Sequence, residues 1–155
     1  MTPESILTLL KQYEAQFSAR NLATAVHRIG KLGGRRVQQD PRLERLIEMC
    51  GRRIGEFEPQ EIANSAWGCA KIGITDQRFF KAVAEKASRR IHAFNPQAMA
   101  NTVWAFATAR VAADTLFKAV AAEVPRRIGE FNAQNMTNMV WAFACVGWEG
   151  RNLFR

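Results

Sequence analysis

The sequence predicts an all-α protein, an α-solenoid of stacked two-helix repeats of about 37 residues, on three observations. Phe57, Phe94 and Phe131 recur at a spacing of 37, and so do Trp67, Trp104 and Trp141, so one unit is copied along the chain. Alanine-rich stretches dominate, whereas Val, Ile and Thr never alternate as half-buried strands require. Each copy also opens with a helix-start signal and closes near a residue suited to a left-handed turn. A helical hairpin of this size cannot bury its apolar side alone, so neighbouring units must stack on a continuous core.

Taken along the chain, Thr2-Pro3-Glu4 opens a helix over 3–16, the second helix (B) of a preceding unit. FSARNLATAVHRIGKLG at 17–33 is a weaker copy of FEPQEIANSAWGCAKIG at 57–73, FNPQAMANTVWAFATAR at 94–110 and FNAQNMTNMVWAFACVG at 131–147. These segments are the first helix (A) of each unit. Asn95 is a good N-cap with Pro96 at the first helical position, and Ser18, Glu58 and Ala133 fill the cap elsewhere. Phe94 can staple against Met99, as Phe17, Phe57 and Phe131 can against Leu22, Ile62 and Met136. Helix A ends at Gly33, Gly73 or Gly147, with Arg110 the exception. The first unit carries about three extra residues around Gly33, Gly34, Arg35 and Arg36. Helix B starts near Asp40-Pro41, Asp76 or Asp114 and runs to GRRIGE at 51–56, SRRIHA at 88–93 or PRRIGE at 125–130, with Gly51, Ser88 and Pro125 weakening its last turn. The expected organisation is a single solenoid over 1–155: helix B at 1–16, repeats at 17–56, 57–93 and 94–130, and a truncated repeat at 131–155.

The charge balance points to an acidic partner. Lys and Arg number 22 against 14 Asp and Glu, a formal charge of +8, and 16 of the 22 are Arg, whose fork suits bidentate phosphate contact. The excess is shared between residues 1–56 and the remainder, so it belongs to the fold and not to a tail. Nucleic acid is the leading partner and an anionic membrane surface the second; no stretch reads as a membrane span. Cys50, Cys69 and Cys145 have neither C-x-x-C spacing nor a nearby histidine, so no disulfide framework, metal site or cofactor is expected. Cys50 and Cys69 share registers with small core residues, and Cys145 aligns with Lys71 and Thr108.

The string F-N-P-Q-x-x-A-N-x-x-W-A-F-A at Phe94 to Ala107, with its variants at 57 and 131, resembles the octotricopeptide repeat family. The resemblance covers 17–155 and implies a helical-repeat RNA binder of chloroplasts or mitochondria that helps transcripts mature, persist or be translated, in some cases as a ribosome-associated subunit. It also implies that one helix of each unit lines an RNA-facing groove. The first unit departs from the pattern, with His27 in place of Trp and Thr24 in place of Asn. No targeting peptide is visible in the first residues.

A helical wheel of helix A places Ile62, Ala63, Ala66, Trp67, Cys69 and Ala70 on a core side and Glu61, Asn64, Ser65, Gly68 and Lys71 on the opposite side. The tryptophans and phenylalanines are therefore expected to be packing residues. On the polar side Asn64, Asn101 and Asn138 hold one register, as an inter-unit ladder or a ligand contact. Beside them the residues vary: Asn21, Glu61, Ala98 and Asn135 at one register, Ala25, Ser65, Thr102 and Met139 at the next. A fixed holder beside a variable reader is how one-base-per-repeat RNA recognition is built. Arg52-Arg53, Arg89-Arg90 and Arg126-Arg127 would align into a basic stripe able to hold phosphates, while also meeting the dipole at the end of helix B. His27 and His92 have no Ser or Cys partner in a shared motif, and Gly30 to Gly34 lacks the order of a phosphate-binding loop, so the protein is not expected to be an enzyme.

The expected function is sequence-selective binding of single-stranded RNA in organellar RNA processing, stability or translation. The alternative is a structural or protein-interaction subunit of a large organellar assembly such as a ribosome. After Gly150 only Arg151 to Arg155 remain of a final helix B, with Phe154 aligned to Phe117 and Phe80, and Val140, Trp141, Phe143 and Ala144 keep the buried pattern. Part of an apolar face should thus be open for protein partners or further repeats, as expected of a segment of a longer repeat protein or of a docking subunit.

Overall fold

A computed structural model describes residues 1–147. The described residues form eight α-helices, α1 (Pro3–Tyr13), α2 (Ala19–Lys31), α3 (Pro41–Arg52), α4 (Pro59–Ile72), α5 (Gln77–Arg89), α6 (Pro96–Ala109), α7 (Asp114–Glu123) and α8 (Ala133–Cys145), joined by short 3₁₀ turns, with no strand among them. The even-numbered helices are the A helices and pack side by side in chain order. The odd-numbered helices form a second layer, α1 on α3, α3 on α5 and α5 on α7. The result is a two-layered, solenoid-like stack with its core between the layers.

That core is aliphatic at one end, with Leu7, Leu10, Leu22, Ile29, Leu43 and Leu46 almost wholly buried, and aromatic at the other. Phe80 of α5 meets Phe106 of α6 edge-on at 5.0 Å, and Phe117 of α7 meets Phe143 of α8 in the same manner at 4.9 Å. Each B-layer phenylalanine therefore packs on the A helix of the next unit, and burying such a ring is worth about 1.5–3 kcal/mol.

Local grammar explains the boundaries. The Asn95 side chain accepts from the Ala98 N–H at 2.7 Å, Thr2 and Ser18 form capping boxes, and Asp40 and Asp76 cap α3 and α5. One cap expectation needs correction. Asn132, not Ala133, caps α8, its carbonyl accepting from Asn135 N–H at 2.7 Å, because Asn132 is the residue that follows Phe131 as Asn95 follows Phe94. Helix α7 starts at Asp114 as expected, with Ala113 at its cap position and no side-chain bond there. Pro125 does end α7, the chain continuing as 3₁₀ turns over Val124–Glu130, whereas Gly51 and Ser88 remain inside α3 and α5. All four expected terminators adopt positive φ: Gly33 at 75°, Gly73 at 89°, Gly147 at 72° and the non-glycine Arg110 at 57°.

The longer first unit folds its extra residues into a 3₁₀ turn over Gly34–Val37. Arg36 in this turn donates to both carboxylate oxygens of Glu4, at 2.7 and 3.1 Å, and holds that carboxyl down to about 2. Gln38 reaches the Gly73 carbonyl at 2.7 Å and so ties the turn to the next unit. At the other end Val140 and Trp141 of α8 are 46% and 45% exposed, while Phe143 stays buried. The final helix B and the alignment of Phe154 lie outside the described residues.

Candidate nucleic-acid interface

An A helix inside the stack touches an A helix on each side and the B layer beneath, so only a narrow stripe of it meets solvent. Small residues let the neighbours approach closely: the Gly68 Cα lies where a Cβ on Gly30 would be 3.0 Å away, and a Cβ on Gly68 would come within 2.6 Å of the Val26 carbonyl oxygen. This crowding corrects the wheel-based assignment of faces. Ser65, Ala98, Thr102 and Met139 are all buried between A helices and present no side chain to a ligand. The Ser65 and Thr102 hydroxyls are spent on their own helices, donating to the Ile62 carbonyl at 3.0 Å and the Ala98 carbonyl at 2.6 Å. The variable register expected to read bases is therefore part of the packing.

The open stripe has residues at i, i+4 and i+7. It carries Gln60, Asn64 and Trp67 on α4, Gln97, Asn101 and Trp104 on α6, and Gln134, Asn138 and Trp141 on α8, all partly or well exposed. Thr24 and His27 continue it on α2. The tryptophans, expected as packing residues, form a row along this surface: Trp67 and Trp104 are partly buried, Trp104 against the core as expected, and Trp141 is exposed. His27 and Trp67 have ring centroids 5.1 Å apart, Trp67 and Trp104 6.3 Å at an interplanar angle of 28°, and Trp104 and Trp141 6.3 Å at 33°. Lys71 Nζ sits 5.7 Å from the Trp67 ring centre, a cation–π contact. His27 is held below its ordinary pKa of 6.5 by burial first, then by Lys31 and Arg28, and so is neutral at pH 7.

Beside the tryptophan row runs a row of amides. Gln60 donates to Asn64 at 3.0 Å. Between the N-terminal halves of α6 and α8 lies a polar cleft of about 280 Å³, walled by Gln97, Asn101, Gln134, Asn135 and Asn138 with Glu130 at its rim. Glu61 is half-buried and 3.6 Å from Arg20. Asn21 lies apart from this cleft, beside the apolar hollow formed by Ile6, Leu9, Tyr13 and Phe17. The structure thus gathers Asn101, Asn135 and Asn138 and separates them from Asn21.

The paired arginines divide their work. Arg53 donates to the Phe17 carbonyl at 2.7 Å, Arg90 to the Phe57 carbonyl at 3.5 Å and Arg127 to the Phe94 carbonyl at 2.7 Å. Each also pairs with a glutamate, Glu56, Glu58 or Glu130. Arg53, Arg90 and Arg127 are therefore rivets that tie the end of helix B to the start of helix A within one unit, and are corrected from the phosphate-binding set, because their donors are already committed to backbone and carboxylate. Their neighbours point outward: Arg52 pairs with Glu48 at 2.7 Å, and Arg89 and Arg126 form no ion pair among the described residues. Cys50 and Cys69 are buried and Cys145 exposed; burial pushes the Cys50 thiol up to about 12 and raises Cys69 as well. No cluster of His, Cys, Asp and Glu that could hold a metal ion occurs among the described residues, and no helix is long and apolar enough to cross a membrane.

The structure defines a helical-repeat protein whose A layer carries a row of amides beside a row of aromatic rings, with Arg89 and Arg126 exposed on the B-layer segments. Residues 42–155 match the family described as RNA-editing substrate-binding complex 6 protein, RESC6, and the chain belongs to that family. It is a helical, RNA-associated family, and no match to the octotricopeptide repeat family accompanies it. No curated protein matches the chain.

Proposed function

We propose that this chain is a single-stranded RNA-binding subunit of an RNA-editing substrate-binding assembly, gripping RNA along the open face of its A-helix layer. The observation that carries this is the unbroken stripe from His27 to Trp141, in which amides and aromatic rings repeat in one register on a chain of net charge +8. Arg89 and Arg126 are the phosphate contacts, since both are exposed and unpaired among the described residues. Selectivity for sequence rests on the few groups that differ between units and keep surface in solvent, the exposed Asn21 and the partly buried Glu61 and Asn135, because the more variable register is buried. The role is binding and not catalysis. Family membership favours a mitochondrial setting and lends none to a chloroplast one.

Salt dependence tests the proposal. Affinity for a pool of single-stranded RNA should fall steeply with salt, with a log–log slope of about −0.7 per phosphate contact, and replacing Arg89 and Arg126 together by Ala should flatten the slope by roughly 1.4. Absence of binding at about 50 mM salt would refute it. The protein-interaction role would then stand in its place, with the exposed Val140 and Trp141 edge as the docking surface.

A further inference from the structure

Packing accounts for only part of the aromatic row: Trp104 rests partly against the core, yet the row keeps an open side. A buried indole normally finds a partner for its N–H, yet Trp67, Trp104 and Trp141 donate no such bond among the described residues, and each keeps surface in solvent. Where the fold does need a ring in its core it uses Phe106 and Phe143, two residues further along the same helices. The three indoles lie within about 33° of parallel to their neighbours and at a constant 6.3 Å, so the surface they offer is continuous from unit to unit. The amides on one flank are the same in three units, so each step along the row presents the same contacts, and Lys31 and Lys71 add positive charge on the other flank.

We propose that His27, Trp67, Trp104 and Trp141 form a stacking rail for unpaired bases of single-stranded RNA, contacting base faces and therefore accepting any sequence. This rests on the RNA-binding function proposed above and assigns its contacts. Every base has a π-face, so stacking supplies affinity without choosing a base. A neutral His27, 5.1 Å from Trp67 and tilted by 51° to it, adds a ring at the first-unit end of the rail, and Lys71 adds charge over Trp67.

The test uses the full chain and three probes of about 12 nucleotides: oligo(U), oligo(A) and an abasic ribose-phosphate strand. Binding is followed by quenching of tryptophan fluorescence and by anisotropy of a labelled strand. Oligo(U) and oligo(A) should bind within about tenfold of each other, and the abasic strand far more weakly. Trp104→Leu and Trp141→Leu should each weaken oligo(U) by about 5- to 150-fold while leaving the abasic strand unchanged, and Trp104→Phe should restore part of the loss. Trp141, 45% exposed, is the variant least able to disturb the fold, and the comparison of probes on the unaltered chain needs no variant. Equal binding of oligo(U) and the abasic strand, unmoved by either Leu variant, would overturn the rail while RNA binding stands. A preference of several hundredfold for one homopolymer that vanishes in Asn101→Ala would also overturn it, and absence of binding by all three would overturn the RNA function with it.

Discussion

Gly68→Ala places a methyl group against backbone that cannot step aside. The new Cβ would lie 2.6 Å from the Val26 carbonyl oxygen, 2.8 Å from its carbonyl carbon and 2.9 Å from a Val26 methyl, about 0.8 Å inside ordinary contact. Helices α2 and α4 must separate by a comparable distance, and a radial gap of 0.5–1 Å forfeits a quarter to a half of the dispersion energy across the contacts it opens. Overpacking of this kind costs roughly 1–3 kcal/mol. The same substitution gains about 1 kcal/mol of helix propensity, leaving a net loss of up to about 2 kcal/mol, or a fall in Tm of up to about 8 °C for a chain of this size. Gly51, near the end of α3, supplies the control: its nearest neighbour is the Phe79 Cα at 3.9 Å, so Gly51→Ala keeps the propensity gain and should raise Tm. Thermal unfolding followed by circular dichroism measures both. If Gly68→Ala raised Tm as Gly51→Ala does, the close approach of the A helices, and with it the burial of Ser65 and Thr102, would be refuted.

Arg110 occupies the left-handed turn that glycine fills in the other units, so Arg110→Gly should stabilise the chain by about 1 kcal/mol, read as an increase of the urea midpoint. His27 binds its proton less readily in the folded chain than in the unfolded one, so the stability it allows at neutral pH declines as pH falls below 6.5; His27→Gln should flatten that part of the stability profile, and an unchanged profile would refute the burial of the ring. Thr102→Val removes a hydroxyl that reaches only the Ala98 carbonyl, so RNA affinity and base preference should not change; a shift in selected sequence would return Thr102 to the ligand face.

The architecture was legible because a 37-residue period in Phe and Trp can arise only from repeated units, and because Asn95, Ser18, Asp40 and Asp76 advertise helix starts by chemistry that depends on no distant contact. The face of helix A was not legible from a wheel. A wheel sorts residues for a helix with one neighbour, whereas α4 and α6 each have an A helix on both sides, so Ser65, Ala98 and Thr102 fall into side contacts and Trp67 and Trp104 onto the open stripe. The clue lay in Gly68, Ala105 and Ala142, whose small size marks a helix–helix approach at the register next to the tryptophan. Periodicity likewise gave the arginine doublets but not their division, because the choice of Arg53, Arg90 and Arg127 as rivets depends on carbonyls more than thirty residues away. The amide cleft between α6 and α8 joins residues from two units and could be drawn only once the stacking was known.

Photo-cross-linking of a single strand carrying 4-thiouridine to the full chain, followed by peptide mapping, tests most directly where RNA lies. Cross-links should concentrate in residues 60–71, 97–108 and 134–145, the A helices that carry the tryptophan and amide rows. Cross-links confined to the B helices at 41–52, 77–89 and 114–123 would contradict an RNA path along the A-helix face.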